Sequence, residues 1–500
     1  MKLVSFSYAC FLLGTLICYW GLGAVLPTLR VWVLFGASLG FYAFWQPQFL
    51  PLLLGLTTVN YIVGRLIEAQ VRRGDRLKKR AQAYNFWNRQ ALYLLVLGIF
   101  LNLAILFGFK YVPFTIENLN IFFDWPWATT VATVLEENLI APVGISFFTF
   151  ECIAYLVDVY RGAPAARSFV DFGSYKLFFP KILSGPISRF HFFANQMKGK
   201  PHLFFDQGVE GLWLIASGAF KKVLIADNLG VYVELCVNNL ERAGSGDLWL
   251  VVFAYGLQLY FDFSGYVDLA MGSAKLLGFN LPVNFDFPYF STSLADFWRR
   301  WHMSLGEWLR NYLYFPLGGS RRGLIRTCLN LFLVMFLAGI WHGAAWGYVI
   351  WGCIHGAGLA LHRLGDAIAG KVKLLQDFWA SVPGILVAWA MTQILVFMAW
   401  IPFRLPDGQQ AKLLINHLWH YQGDIQFGQK IYLEGLSMGR SYFVLLLGLL
   451  TIGMALAYLI QRRWQLNLNW ALKLAFVPLC FYVVWLFAPE GNVPYIYFDF

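Results

Sequence analysis

Charged side chains are scarce in this chain. Its 38 Lys and Arg and 27 Asp and Glu amount to 13% of 500 residues, whereas a soluble domain carries about 25%, so a soluble globule is disfavoured from the outset. Cysteine is scarce too. The seven residues Cys10, Cys18, Cys152, Cys236, Cys328, Cys353 and Cys480 fall in or beside apolar segments with no CxxC spacing, which speaks against a disulfide framework or zinc site and for small buried hydrophobes. Neither a phosphate-binding loop nor a dinucleotide fingerprint nor an HExxH pair occurs, and no GxSxG elbow surrounds Ser264. The histidines are scattered rather than clustered, so no metal site is expected. Internal repeats and low-complexity linkers are lacking, and residues 1–500 read as one membrane domain. A cleavable signal is lacking as well. Only Lys2 precedes the first apolar run and no small-x-small site follows it, so that run reads as a retained helix.

The chain is filled instead by apolar residues, 59% of the total, with 47 Phe, 25 Tyr and 21 Trp. Amphipathic rings in that abundance suit helices anchored at headgroup depth. The formal charge is +11, yet the basic residues lie mostly in short loops between apolar segments. Orientation against an anionic leaflet accounts for them, so membrane lipid is an expected partner and nucleic acid is not.

Crossing about 30 Å of hydrocarbon takes roughly 20 residues. Suitable stretches cover 4–26, 31–45 continued by 47–66, 91–111, 139–158, 211–233, 248–267, 327–348, 350–365, 382–402, 441–461 and 471–488. They predict an all-α polytopic membrane protein with about 11 crossings. A break is expected at Gln46-Pro47, because proline removes an amide donor and disfavours helix in the preceding residue. Residues 65–89 hold Arg65, Arg72, Arg73, Arg76, Lys78, Lys79, Arg80 and Arg89 against Glu68 and Asp75. That excess places the loop in the cytoplasm and the N-terminus outside. Residues 172–201 and 280–326 mix apolar side chains with Pro, Gly and basic residues. They read as interfacial or re-entrant segments lining a central cavity, since irregular backbone at membrane depth must be covered by protein or water.

Two segments combine histidine with tryptophan: Phe297-Trp298-Arg299-Arg300-Trp301-His302 and Trp341-His342-Gly343. Imidazole moves protons near neutral pH. His342 follows the apolar run 329–340 and precedes Gly343-Ala344-Ala345. An ionisable group there is either catalytic or a hydrogen-bonded structural histidine, and the small residues either admit substrate or let helices approach. Within 297–315, Trp298, Trp301, Trp308 and Leu309 alternate with Arg299, Arg300, Glu307 and Arg310 in a pattern compatible with an amphipathic interfacial helix. Its arginines either anchor on phospholipid or attract an anionic donor. His302 either caps this helix or lines a passage. His355, in Cys353-Ile354-His355-Gly356, reads as cavity lining or helix packing. Asp262 and Ser264 interrupt an apolar segment and need partners if buried, so a structural polar network is their preferred reading.

The chain resembles the membrane-bound O-acyltransferase family, especially its bacterial branch that acylates exported polysaccharides. The resemblance runs through Gly185-Pro186-Ile187 with Arg189, Gln258-Leu259-Tyr260-Phe261-Asp262-Phe263-Ser264-Gly265-Tyr266 and Asn284-Phe285-Asp286-Phe287-Pro288-Tyr289. It continues through residues 297–305, Tyr312-Leu313-Tyr314-Phe315-Pro316-Leu317-Gly318-Gly319, Trp341-His342-Gly343 and the terminal Tyr495-Ile496-Tyr497-Phe498-Asp499-Phe500, the last similar to the ending of alginate-type O-acetyltransferase subunits. The resemblance implies tilted helices around a tunnel, with His342 as catalytic base or nucleophile and His302 as its assistant. Trp341 would shape the slot, and Arg299, Arg300 and Arg310, with Trp298 and Trp341, would bind the donor at the cytoplasmic mouth. It further implies acetyl-CoA as acyl donor without a tightly bound cofactor, a bacterial inner-membrane location, a periplasmic SGNH-type acetyltransferase and a polysaccharide synthase complex as partners, with D-alanyl or other acyl transfer, or a non-enzymatic transporter, as the alternative readings.

Overall fold

In hydrocarbon a backbone must satisfy its own amides, and a helix does so within one segment. The computed structural model describes residues 3–76, 81–123, 125, 127–138, 140–199, 204–466, 468–489 and 495–496, and these residues contain helices and no strand. Lys78, Lys79 and Arg80 of the basic loop and residues 497–500 of the terminal motif lie outside the described residues. In chain order the first helices are α1 (Phe6–Val25), α2 (Leu29–Trp45), α3 (Leu50–Arg76), α4 (Ala81–Lys110), α5 (Val112–Phe123), α6 (Ala128–Asn138), α7 (Ile145–Tyr160), α8 (Phe169–Lys176), α9 (Phe190–Lys198), α10 (Phe205–Ala219) and α11 (Asn228–Val237). There follow α12 (Ser245–Leu276), α13 (Leu294–Arg300), α14 (Met303–Leu309), α15 (Leu324–His342), α16 (Trp346–Ala369), α17 (Lys373–Ala380), α18 (Val382–Arg404), α19 (Gly408–His417), α20 (Ile425–Gly428), α21 (Arg440–Leu459) and α22 (Trp470–Phe487).

Eight helices among the described residues are long and apolar enough to cross a membrane, including α1, α12, α15, α18 and α22. Expected crossings over 31–45, 139–158, 211–233 and 350–365 fall outside that set. The first corresponds to α2, which has 17 residues, and the second to α7, which has 16. The third is broken into α10, a π-helical stretch Phe220–Asp227 and α11. The fourth corresponds to α16, which has 24 residues. The chain gathers into two compact units, residues 1–212 with 269–282 and residues 213–268 with 283–500.

Within the first unit, the break at Pro47 falls where proline demands it: α2 stops at Trp45 and Pro47–Phe49 form a short 3-10 turn before α3. Gln46 then accepts the Val143 amide at 2.8 Å. Helices α3 and α4 meet through Asn60 and Asn102, whose buried amides exchange hydrogen bonds at 3.1 and 2.8 Å. Polar glue of this kind links helices that have no hydrophobic force between them in lipid. Residues 172–188 are buried throughout although their backbone is irregular after α8. Glu151 on α7 organises them. Lys181 Nζ donates to it at 2.5 Å and to Ser188 Oγ at 2.9 Å, Lys176 Nζ donates to it at 3.3 Å, and the Ser188 amide adds a bond at 3.1 Å.

In the second unit the π-helical stretch carries Lys222, which pairs with Asp262 of α12 at 2.5 Å and Asp227 at 2.7 Å. The same Asp262 carboxylate accepts the Ile496 amide at 3.1 Å, and Lys222 Nζ lies 4.4 Å from the Tyr495 ring centroid. Loops are tied in turn: Arg242 binds Asp424 at 2.6 Å and holds that exposed carboxyl below its ordinary range by hydrogen bonding.

Helices α15 and α16 pack against each other more extensively than any other pair, and glycine permits it. A Cβ on Gly352 would stand 2.6 Å from the Met335 carbonyl oxygen and 3.1 Å from Gly339 Cα, and one on Gly356 would stand 3.0 Å from Phe332 Cα. Small residues thus let the two backbones touch. Gly352→Leu is therefore expected to force them apart and destabilise the protein by about 1–3 kcal/mol or more. The check is the thermal unfolding midpoint of the full chain in detergent. An unchanged midpoint would show that the crossing tolerates a side chain.

Candidate active site

His342 is the last residue of α15, and the chain leaves the helix immediately afterwards in extended conformation at Gly343. A Cβ at Gly343 would run into the Tyr348 ring, so only glycine lets the chain turn there. The imidazole is 3% exposed. Aromatic rings surround it: Trp341 at 5.0 Å, Trp351 of α16 at 5.0 Å and nearly perpendicular, and Phe403 of α18 at 5.1 Å between centroids. Three helices thus converge on one imidazole in an apolar shell.

The second element of the site is His355, one turn beyond Trp351 on α16 and fully buried. Trp298 Nε1 donates to His355 Nδ1 at 3.3 Å. Because indole nitrogen only donates, Nδ1 is the acceptor and the proton of neutral His355 resides on Nε2. His355 also faces Trp351, with ring centroids 4.8 Å apart. Trp298 is accordingly turned into the protein, where it fixes the tautomer of a buried histidine.

Around His302 the structure corrects the expected continuous helix over 297–315. Helix α13 ends at Arg300, His302 adopts a left-handed backbone with φ 45° and ψ 53°, and α14 begins at Met303. Asn284 makes the break: its carbonyl accepts the Met303 amide at 3.0 Å and its side-chain oxygen accepts the Ser304 amide at 2.9 Å. These bonds satisfy amides that a through-running helix would have used, and a non-glycine residue held at positive φ is a feature that clusters at functional sites. The His302 ring is 1% exposed and stands edge-on to Phe263 at 4.8 Å. It is packed inside the protein rather than presented on the face of an amphipathic helix. An aromatic path leads from its neighbour Trp301 to Trp400 at 5.1 Å, on to Phe403 at 5.3 Å, and to His342.

The arginines divide. Arg300 pairs with Asp296 at 2.8 Å, whereas Arg299 and Arg310 are exposed. Asp262 sits in the ion pair with Lys222, and the neighbouring Ser264 is buried. Lys222, Asp227 and the Glu151–Lys176–Lys181 cluster escaped the sequence reading. Their signal was present as charges inside otherwise apolar stretches, but their partners lie 5 to 40 residues away. Among the described residues no three His, Cys, Asp or Glu side chains gather as a metal site would require.

Known sequences resolve the class. The pattern of the MBOAT, membrane-bound O-acyltransferase family matches residues 89–398, a span holding His302, His342 and His355. The probable alginate O-acetylase AlgI of Pseudomonas putida is 39% identical over 394 residues, covering 79% of this chain and 75% of that protein. The peptidoglycan O-acetyltransferase of Helicobacter pylori is 34% identical over 410 residues, covering 76% and 72%. The teichoic acid D-alanyltransferase of Bacillus subtilis is 29% identical over 266 residues, covering 50% and 66%. With its all-helical fold and long apolar helices, this chain is an integral membrane protein and belongs to the membrane-bound O-acyltransferase family.

Proposed function

We propose that this chain takes acetyl groups from cytoplasmic acetyl-CoA and carries them across the bacterial inner membrane for O-acetylation of an exported polysaccharide. The observation that carries the reading is His342, a buried imidazole ending an apolar helix in a chain 39% identical to alginate O-acetylases. Acetyl is favoured over D-alanyl because the O-acetylating relatives match at 34–39% identity and the D-alanyltransferase at 29%.

In this reading His342 acts as general base. It takes the proton of an acceptor hydroxyl as that oxygen attacks the thioester carbonyl. The tetrahedral intermediate collapses, the C–S bond breaks, and the departing thiolate recovers the proton from His342. The balanced products are an acetyl ester and free CoA. His302 positions the acceptor or shares its proton, and Trp341 narrows the slot around the imidazole. Exposed Arg299 and Arg310 attract the phosphates of the donor at the cytoplasmic mouth, with Arg300 held by Asp296 beside them. The N-terminus faces the periplasm, where an SGNH-type acetyltransferase working with the synthase complex completes transfer onto the polymer.

His342→Ala is expected to lower acetyl transfer about 10²–10⁴-fold, the usual contribution of a positioned acid or base, without changing the amount of inserted protein. Mass analysis of exported glycan from cells fed isotopically labelled acetate reads this directly, and near-normal labelling would sink the assignment. His302→Ala is expected to reduce turnover strongly, and its acetyl-CoA affinity, measured alongside, separates lost chemistry from a blocked passage. Charge reversal of the double variant Arg299→Glu, Arg310→Glu should raise KM for acetyl-CoA roughly tenfold, equivalent to about 1.4 kcal/mol. That difference should shrink at high salt, and a KM indifferent to both charge and salt would leave the arginines as lipid anchors.

A further inference from the structure

Two buried N–H donors lie one turn apart on α16, Trp351 in the aromatic shell of His342 and His355 against Trp351, and neither has a hydrogen-bond acceptor among the described residues. Trp351 is 1% exposed and its indole Nε1–H has no acceptor. His355 is 0% exposed, and its Nε2 has no partner either. The Trp298 bond to Nδ1 leaves the His355 proton on Nε2, so this nitrogen is a donor as well. The two rings lie 4.8 Å apart, and Trp351 is 5.0 Å from His342. Native interiors retain few buried donors without acceptors, and those they keep call for an explanation. Phenylalanine or leucine would fill either position without one.

We propose that Trp351 Nε1–H and His355 Nε2–H are the donor pair that receives the oxygen of the acyl carbonyl during transfer. The proposal rests on the reading of His342 as the base. When the acceptor oxygen bonds to the carbonyl carbon and its proton passes to His342, the carbonyl π pair moves onto oxygen. Two preset donors shielded from bulk water stabilise that oxyanion without reorganising. The pair then returns to re-form C=O, and the C–S electrons leave with the thiolate, which takes the proton from His342. Trp298 is a positioning residue in this scheme. Its indole holds the His355 tautomer that points a donor, rather than a lone pair, at the substrate.

The test uses the full chain in membrane vesicles that retain its periplasmic transferase and synthase complex, with isotopically labelled acetyl-CoA as donor and the producing cells' own exopolysaccharide as acceptor. Trp351→Phe keeps an aromatic ring and removes the N–H. It is expected to lower kcat about 10²–10³-fold, the range for losing one oxyanion donor, with KM for acetyl-CoA within about threefold. Replacing Trp351 by β-(3-benzothienyl)alanine, which exchanges only N–H for sulfur, should reproduce the loss with the packing intact. His355→Gln retains an N–H and should keep activity within about tenfold, whereas His355→Leu should fall with Trp351→Phe. The thioether S-ethyl-CoA lacks the carbonyl oxygen and should bind wild type and variants equally. A benzothienyl variant with kcat within threefold of wild type would overturn the donor pair, as would a rise in KM at unchanged kcat. Activity surviving in His342→Ala would instead remove the base reading. An inactive His342→Ala beside a fully active benzothienyl variant would remove the donor pair alone.

Discussion

Taking an ammonium or a carboxylate out of water costs several kcal/mol per ion even after the protein relaxes, and this sequence does so repeatedly. Lys222 is buried with Asp262, and Lys176 and Lys181 are buried with Glu151. Each arrangement supplies the counter-charge inside the protein, and each brings together segments that apolar packing alone would leave unspecified. Hydrophobic contact is non-directional and offers a helix in lipid no preferred face. The ion pairs offer one. Glu151 holds the irregular stretch through Ser188 against α7, and Asp262 holds the Ile496 amide against α12. Breaking such a pair on one side leaves a bare charge at a cost of about 3–5 kcal/mol, so these contacts set register more than they add stability.

The surroundings of His342 follow the opposite rule. There the shell is aromatic, and Trp341, Trp351 and Phe403 present ring faces and edges rather than formal charges. These rings bury the imidazole away from bulk water. Charge within this unit is thus compensated where Lys222 meets Asp262, and aromatic packing takes its place around His342. The left-handed turn at His302 belongs to the same design. It interrupts a helix so that a second imidazole enters the interior, and Asn284 satisfies the amides that the interruption frees.

Long elements were legible because their signal is local. The long apolar helices, the break at Pro47 and the irregular backbone that follows α8 all accord with composition and proline. The position of His342 at a helix end could be read from Gly343-Ala344-Ala345. What escaped was pairing. The Lys222–Asp262 contact spans 40 residues and that between Asp262 and Ile496 spans 234, and no periodicity encodes either. The pattern over 297–315 misled for a related reason. Alternating Trp and Arg is what an interfacial helix shows, and the Asn284 bonds that interrupt it come from a residue outside the window. Trp298 illustrates the consequence: its sequence context suggests a lipid anchor, while its N–H is spent on His355.

Function in such a protein turns on how few polar groups the interior keeps and where it leaves them. A transferase must expose its base to a substrate hydroxyl while denying water the same access, and a hydrogen-bonded pocket open to solvent does neither well. The proposed donors Trp351 and His355 would meet both demands, binding oxygen that arrives with the substrate. On this argument the tryptophans near His342 are not interchangeable with other large apolar residues. Their rings pack around the imidazole, and an indole N–H donates a hydrogen bond without taking up a proton of its own.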